Sequence, residues 1–221
     1  MHFRLLLIFA IFLHCNEPRL NNQSEFGTDS YLENQSILCL TGQISACKAV
    51  TPICTTCKFF STSTTYNGAR GGIAGADAIC MNDPKKPTEP ARAVYKAFLV
   101  DDANRIACTT NNCSGGVSEH VDWILKSDTT YVRAADNVTI ATTNSVGIFS
   151  GQTNDAELVQ VSTILTGLAT GGWTTRTSNH CSRWTDGIGS GNAGIANNSF
   201  GLNSSTLGNC SASTVIYCVE Q

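Results

Sequence analysis

The stretch YNGARGGIAGADAIC, Tyr66 to Cys80, decides the fold together with TVIYCVEQ, Thr214 to Gln221, at the far end of the chain. The first is a glycine-rich turn running into small residues that close on a cysteine. The second is an apolar, β-branched run around Cys218. A cysteine at each end suggests a disulfide joining the two ends of one domain. Closing so long a loop removes much of the unfolded chain's freedom, roughly 4–5 kcal/mol in chain-entropy terms. The reading is an extracytoplasmic single domain with its ends close together. It does not name a function.

The 221 residues are 42% hydrophobic and only 14% charged, so a core can form under a surface that is largely uncharged and polar. Abundant Thr, Ser, Asn and Gly predict β-rich, loop-rich structure. The net charge is −3, and losing residues 1–14 removes Arg4 and no acid. That balance argues against a nucleic-acid or heparin footprint. Eleven cysteines argue for an oxidising compartment, and the odd count asks for one outside any bridge.

The start of the chain supplies that cysteine. MHFRLLLIFAIFLHC has one basic residue, Arg4, then the apolar run Leu5 to Leu13, too short to span a bilayer. It reads as a secretory signal over residues 1–14. The run ends at Cys15, where a bacterial lipoprotein signal places its lipidated cysteine, although His14 stands where a small residue is usual. The plainer alternative is an ordinary secretory signal with a coincidental cysteine. Asn16 to Ser36 is polar and without periodicity, a tether with a mean reach on the order of 25 Å.

Cys39, Cys47, Cys54 and Cys57 follow. Cys54-Thr-Thr-Cys57 has the spacing of half a zinc site, and Cys39 and Cys47, eight apart, do not supply the other half. In an exported chain two local disulfides are expected. A redox-active Cys54/Cys57 pair is a third reading, without a thioredoxin-like βαβ pattern around it. Which of the four pairs with which stays open.

In the body, Lys58 to Tyr66 reads as a strand, and Gly72 to Met81 as a short helix ending near Asn82-Asp83-Pro84. Ala93 to Asp102 alternates like a central strand. Cys108 and Cys113, five apart, predict a hairpin-like loop pinned by a local bridge. Trp123, Ile124 and Tyr131 are candidate core residues. Val138 to Ala141, Val146 to Phe149, Trp173 to Thr175, Cys181 to Trp184 and Thr214 to Val219 read as short strands. Asp155 to Ala169 reads as helix or irregular. A long Gly/Asn/Ser loop spans Gly187 to Gly208.

A long polar loop flanked by Cys181 and Cys210, in a domain whose ends are tied, resembles the frame of a C-type-lectin-like domain. GGIAGADAIC, ARAVYKAFLV, YVRAAD, GIFSG, HCSRWTDG and NCSASTVIYCVEQ are similar in kind, order and spacing to segments of endostatin, the C-terminal domain of certain collagens. STTYNGARGGIAGADAIC is closer still to the leptospiral endostatin-like proteins, spirochaete surface lipoproteins that share one otherwise uncharacterised domain of the DUF1554 type. Their lipoprotein signals are loose, which accommodates His14. The match covers about Phe59 to Gln221, with GADAIC and the terminal YCVE its most specific parts.

The resemblance implies an α+β, C-type-lectin-like (endostatin-like), disulfide-stabilised domain over residues 58–221. Ahead of it stand the signal, 1–14, and a lipidated, tethering, Cys-rich stretch, 15–57. It implies bridges Cys80–Cys218 and Cys181–Cys210, with Cys108–Cys113 pairing locally without an endostatin counterpart. Ten bridged cysteines and a lipidated Cys15 then close the count.

Chemistry is sparse. His120 and His180 alone remain after the leader. Endostatin's zinc site uses N-terminal histidines that this chain lacks, so both read as surface or hydrogen-bonded side chains. The loop Gly187 to Gly208 contains no acid, against calcium's preference for carboxylates. Trp184 therefore reads as a core aromatic and Asp186 as a turn residue. No nucleophile–base set stands out. Asp101 and Asp102, adjacent, point to opposite faces of a strand and read as a strand end at a turn. Asp77, Arg133 and Asp136 read as a polar network holding the helix to the following segment. Arg70, Arg92, Arg105, Arg133, Arg176 and Arg183 are scattered, Arg176 and Arg183 forming at most a local patch. No metal or cofactor is expected.

The resemblance implies a non-enzymatic lipoprotein of the bacterial outer membrane or cell surface. Its implied partners are host macromolecules: matrix proteins such as laminin and fibronectin, plasminogen, or complement regulators such as factor H. A glycan-binding module and a structural envelope protein are the alternatives.

Overall fold

The computed structural model describes residues 54–150, 164–169, 171–175, 178–194 and 205–221, and five residues ahead of them, Ser30, Glu33, Asn34, Ile37 and Leu38. Those five are helical, three of them inside the stretch read as a polar tether without periodicity. The chain divides into Met1–Val50 and a compact unit, Thr51–Gln221. Cys15, Cys39, Cys47, Arg176 and residues 155–163 lie outside the described residues.

The compact unit is a small mixed helix-and-sheet domain. Its main sheet holds β1 (Thr56–Ser61), β2 (Tyr95–Ala97), β3 (Thr130–Arg133), β4 (Thr139–Thr142) and β8 (Tyr217–Glu220), in the order β2-β8-β1-β3-β4. Only β1 and β3 run parallel; the other neighbours are antiparallel. A second sheet, β5-β6-β7, is built from Ile164–Leu165, Ser190–Gly194 and Ser205–Asn209.

Successive side chains of a strand point to opposite faces, and here both faces are buried. Cys57 and Phe59 of β1, with Tyr217 and Val219 of β8, meet Phe98, Ile124, Tyr131, Phe149 and Trp173 on one side. Phe60, Tyr95, Ala97 and Cys218 meet Ile73, Ala76, Cys80 and Trp184 on the other. β8 is therefore apolar at every position but its last, Glu220, and all four of its residues are buried.

Helix α1 (Gly72–Asn82) covers that second face with Ile73, Ala76 and Cys80. Gly71, at φ 75° in the left-handed region, turns the chain into it. The helix stops at Asp83, extended ahead of Pro84, and the Asp83 carboxylate accepts from the Ser63 amide (2.9 Å) and hydroxyl (3.0 Å). α1 also covers the sheet's β2 edge. Asp77 Oδ1 accepts the Ala97 amide (2.8 Å), and Met81 Sδ lies 3.1 Å from the Tyr95 nitrogen.

The disulfides fasten this frame. Cys80–Cys218 ties α1 to β8 across 138 residues, and Cys181–Cys210 spans 29. Cys108–Cys113 closes a short 3₁₀ turn, Asn111–Cys113, and Cys54 pairs with Cys57 at the start of β1. No helix among the described residues is long and apolar enough to cross a membrane.

Expectations change in several places: Trp173 to Thr175 makes only isolated bridges, to Cys108 and Leu168, and the loop expected over Gly187 to Gly208 holds β6 and most of β7. The strand expected over Ala93 to Asp102 keeps its alternation but is ladder-bonded only at Tyr95–Ala97, because Leu99 turns back on Ala97 (N to O 3.0 Å). Val146 to Phe149 is a turn held by Asn144, with one bridge, Thr143 to Phe149. Cys181–Trp184 is a helical turn, and a left-handed one: φ is 51°, 51°, 56° and 64° at Cys181, Ser182, Arg183 and Trp184.

Candidate functional site

Four consecutive non-glycine residues in the left-handed region each cost about 1–2 kcal/mol. Such strain persists only where surroundings over-determine it, and it concentrates at functional positions. Here the surroundings are visible. Trp184 is fully buried, and its indole N–H donates to the Val100 carbonyl at 2.9 Å. The Arg70 guanidinium stacks 5.0 Å from that ring, with its own amide bonded to the Trp184 carbonyl (2.8 Å). The Arg70 side chain donates to the carbonyls of Asn67 and Leu165 and to the Thr214 hydroxyl. Burial lowers it to about 9, which leaves it cationic at neutral pH. Cys181 is bridged to Cys210. Gly68 lets the chain pass beneath: a Cβ there would lie 2.5 Å from the Asp186 carbonyl and 2.6 Å from Cys181 Sγ.

The turn presents a polar depression of about 390 Å³ lined by Asp102, Ser178, His180, Ser182 and Arg183. Arg183 Nε donates to Asp102 Oδ1 at 2.6 Å, and this bond holds the Asp102 carboxyl below its ordinary range. His180 is only 5% exposed and forms the floor. Its Nδ1 accepts the Arg183 amide at 2.8 Å, which places the ring proton on Nε2. Nε2 stands 3.4 Å from Asp102 Oδ2 and makes no hydrogen bond.

The Arg183 amide takes the Nδ1 lone pair, and Nε2–H faces Asp102 Oδ2. No group of three or more His, Cys, Asp or Glu among the described residues is arranged to hold a metal ion. The depression offers the Asp102 carboxylate, the hydroxyls of Ser178 and Ser182 and the Arg183 guanidinium. It is equipped for hydrogen-bonded recognition of a polar group.

The residues singled out by sequence fall into separate places. Trp184 is core, and Asp186 turns the chain by accepting the Ile188 amide (2.8 Å). Asp101 is buried and gathers the amides of Ala103, Asn104 and Arg105; its neighbour Asp102 faces the depression. The grouping of Asp77 with Arg133 and Asp136 is corrected. Asp77 pairs with the fully buried Arg105 (2.7 Å), which also meets Asp122 (2.5 Å), whereas Arg133 and Asp136 pair with each other. His120 is held between the carbonyls of Ala107 and Val146. Arg183 contributes no free positive patch, being paired with Asp102.

The union of Asp102 with His180 and Arg183 went unread in the sequence. The pair Asp102–Arg183 is 81 residues apart, and only the segment HCSRWTDG gave a local sign of it.

No curated protein matches this chain. One family model does, described as a protein of unknown function (DUF1554), over residues 63–199. That span begins two residues after β1, runs through α1 and the left-handed turn, and covers more than half of the sequence. The chain belongs to this DUF1554 family.

Proposed function

We propose that this chain is a lipid-anchored protein of a bacterial outer surface whose disulfide-pinned domain, endostatin-like and C-type-lectin-like in frame, binds host macromolecules without catalysing a reaction. Cys15 behind the apolar leader is the anchor, and the bridges suit an oxidising exterior. The observation that carries the reading is the polar depression lined by Asp102, Ser178, His180, Ser182 and Arg183, held by strained, cross-linked backbone. A pre-organised surface of this kind loses little freedom on binding. Matrix proteins, plasminogen and complement regulators are the partner classes to which the family likeness points.

The test is immobilised laminin, fibronectin, plasminogen and factor H against the oxidised domain at physiological salt. Saturable binding to at least one is expected, weakened about tenfold or more by Asp102→Ala with Arg183→Ala. Absence of saturable binding to all four ends this reading. Protease shaving of intact cells checks display, since an exposed domain is lost.

A second reading, a calcium-independent glycan site, rests on the Asp102 carboxylate and the Arg183 guanidinium standing side by side, an acceptor and a donor for neighbouring sugar hydroxyls. A glycan-array signal that survives EDTA and is lost in Asp102→Ala supports it.

A further inference from the structure

Of the four bridges among the described residues, three are buried at both sulfurs: Cys80–Cys218, Cys108–Cys113 and Cys181–Cys210. Cys54–Cys57 differs. Cys57 is fully buried, whereas Cys54 is partly exposed. The Lys126 Nζ stands 3.6 Å from Cys54 Sγ. Its backbone is fixed on both sides, the amide donating to the Tyr131 hydroxyl (2.7 Å) and the carbonyl accepting from the Thr143 hydroxyl (2.5 Å). The bridge closes a loop of only three residues' separation, so it constrains the unfolded chain least of the four. A partly exposed cysteine beside a cation, joined to a buried partner three residues on, is the arrangement of an exchanging disulfide rather than a fastening one.

We propose that Cys54–Cys57 is a thiol–disulfide exchange site that accepts two electrons from an external dithiol through Cys54. The incoming thiolate attacks Cys54 Sγ, on the partly exposed residue of the pair. A mixed disulfide forms, the Cys54–Cys57 bond breaks, and its electron pair goes to Cys57 Sγ, which takes a proton from water. The second thiolate of the same dithiol then attacks its own sulfur in the mixed disulfide. It closes the external disulfide and expels Cys54 as a thiolate beside Lys126. The external dithiol is oxidised by two electrons, and Cys54 and Cys57 are reduced by two.

Lys126 stabilises the departing Cys54 thiolate. Burial pulls the Lys126 ammonium below its ordinary value, and the nearby Glu220 carboxylate acts the other way. Glu220 is itself engaged by the Lys58 amide (3.0 Å), while the Lys58 ammonium is turned to the Glu89 carbonyl (2.9 Å). Lys126 is thus the cation that meets the sulfur.

The experiment uses the full mature chain, oxidised, in graded dithiothreitol buffers at neutral pH, quenched with N-ethylmaleimide and mapped by peptide mass spectrometry. Cys54 and Cys57 are expected to be labelled together, at a reduced-to-oxidised ratio at least tenfold below that opening the three buried bridges. In the reduced protein, Lys126→Gln is expected to raise the pH midpoint of Cys54 alkylation by about one unit, a roughly tenfold slower reaction at the lower pH. Opening of Cys54–Cys57 together with or after Cys108–Cys113 overturns the proposal. So does an unchanged alkylation profile in Lys126→Gln. Neither result bears on whether the domain binds host macromolecules.

Discussion

Arg105 shows what a single side chain does here and how little of it sequence discloses. It is fully buried, donates to both oxygens of Asp77, to Asp122 and to the Ala97 carbonyl, and so welds α1, the end of β2 and the 122 loop. Read alone, it was one of several scattered arginines. Arg105→Met leaves Asp77 without its cation, while Asp122 keeps Lys96 and both carboxylates reach solvent; it should cost about 1–3 kcal/mol, measured by urea unfolding. Glu119 is the opposite case, exposed yet heavily engaged. It accepts the amides and hydroxyls of Thr109 and Thr110 and the Gly115 amide, which lowers it to about 2. A carboxyl lowered on folding contributes stability that is present above its ordinary value and lost as pH falls through the folded one. The Thr109, Thr110 and Gly115 amides should therefore stay protected from exchange down to about pH 3 and open as pH nears 2. A carboxyl titration at Glu119 centred near its ordinary value would refute the clasp. Trp184 and Asp186 were legible because their roles, burial and a turn, are local. Asp102 and His180 were not, because their meeting depends on chain crossings that no window of sequence contains.

Elements divide along the same line. α1 was legible from end to end: paired glycines to enter, small and apolar residues at Ile73, Ala76 and Cys80 to bury, and Asn82-Asp83-Pro84 to stop. β2 was legible as an alternation but not as a length, since Leu99's turn back onto Ala97 is invisible to period-two counting. The left-handed turn at Cys181–Trp184 inverts the expected strand because tertiary bonds overrule local preference: a disulfide, a buried indole and a histidine cap act against the strain of four residues. Cys181→Ala with Cys210→Ala removes the covalent part. A loop of 29 residues' separation predicts a loss of about 3–4 kcal/mol. Relaxation of the turn should also move Arg183 off Asp102, so binding assigned to this surface should fall together with stability. Denaturant unfolding and the laminin, fibronectin, plasminogen and factor H panel read the two effects on one preparation. Full binding at undiminished affinity would separate the strained turn from recognition.

At the scale of the domain, one sheet divides two cores, and its strand β8 is an interior one, paired with β2 on one side and β1 on the other. Residues near the C-terminus therefore complete both cores at once: Tyr217 and Val219 on one face, Ile216 and Cys218 on the other. This explains why a glycine-rich run before Cys80 and an apolar run around Cys218 carried so much of the fold in the sequence. It also explains why the second sheet, made of short polar β6 and β7, carried so little. Until β8 docks, β1 lacks one antiparallel neighbour and α1 lacks its cross-link. The Cys80–Cys218 bridge fixes that closure over 138 residues, the longest loop of the four, so chain entropy assigns it about 5 kcal/mol. Cys80→Ala with Cys218→Ala should lose an amount of that order in guanidinium unfolding, more than loss of Cys181–Cys210 and far more than loss of Cys54–Cys57. The ranking tests the architecture more sharply than any single value. If removing Cys54–Cys57 cost as much as removing Cys80–Cys218, the ends of this domain would not be what the long bridge holds together.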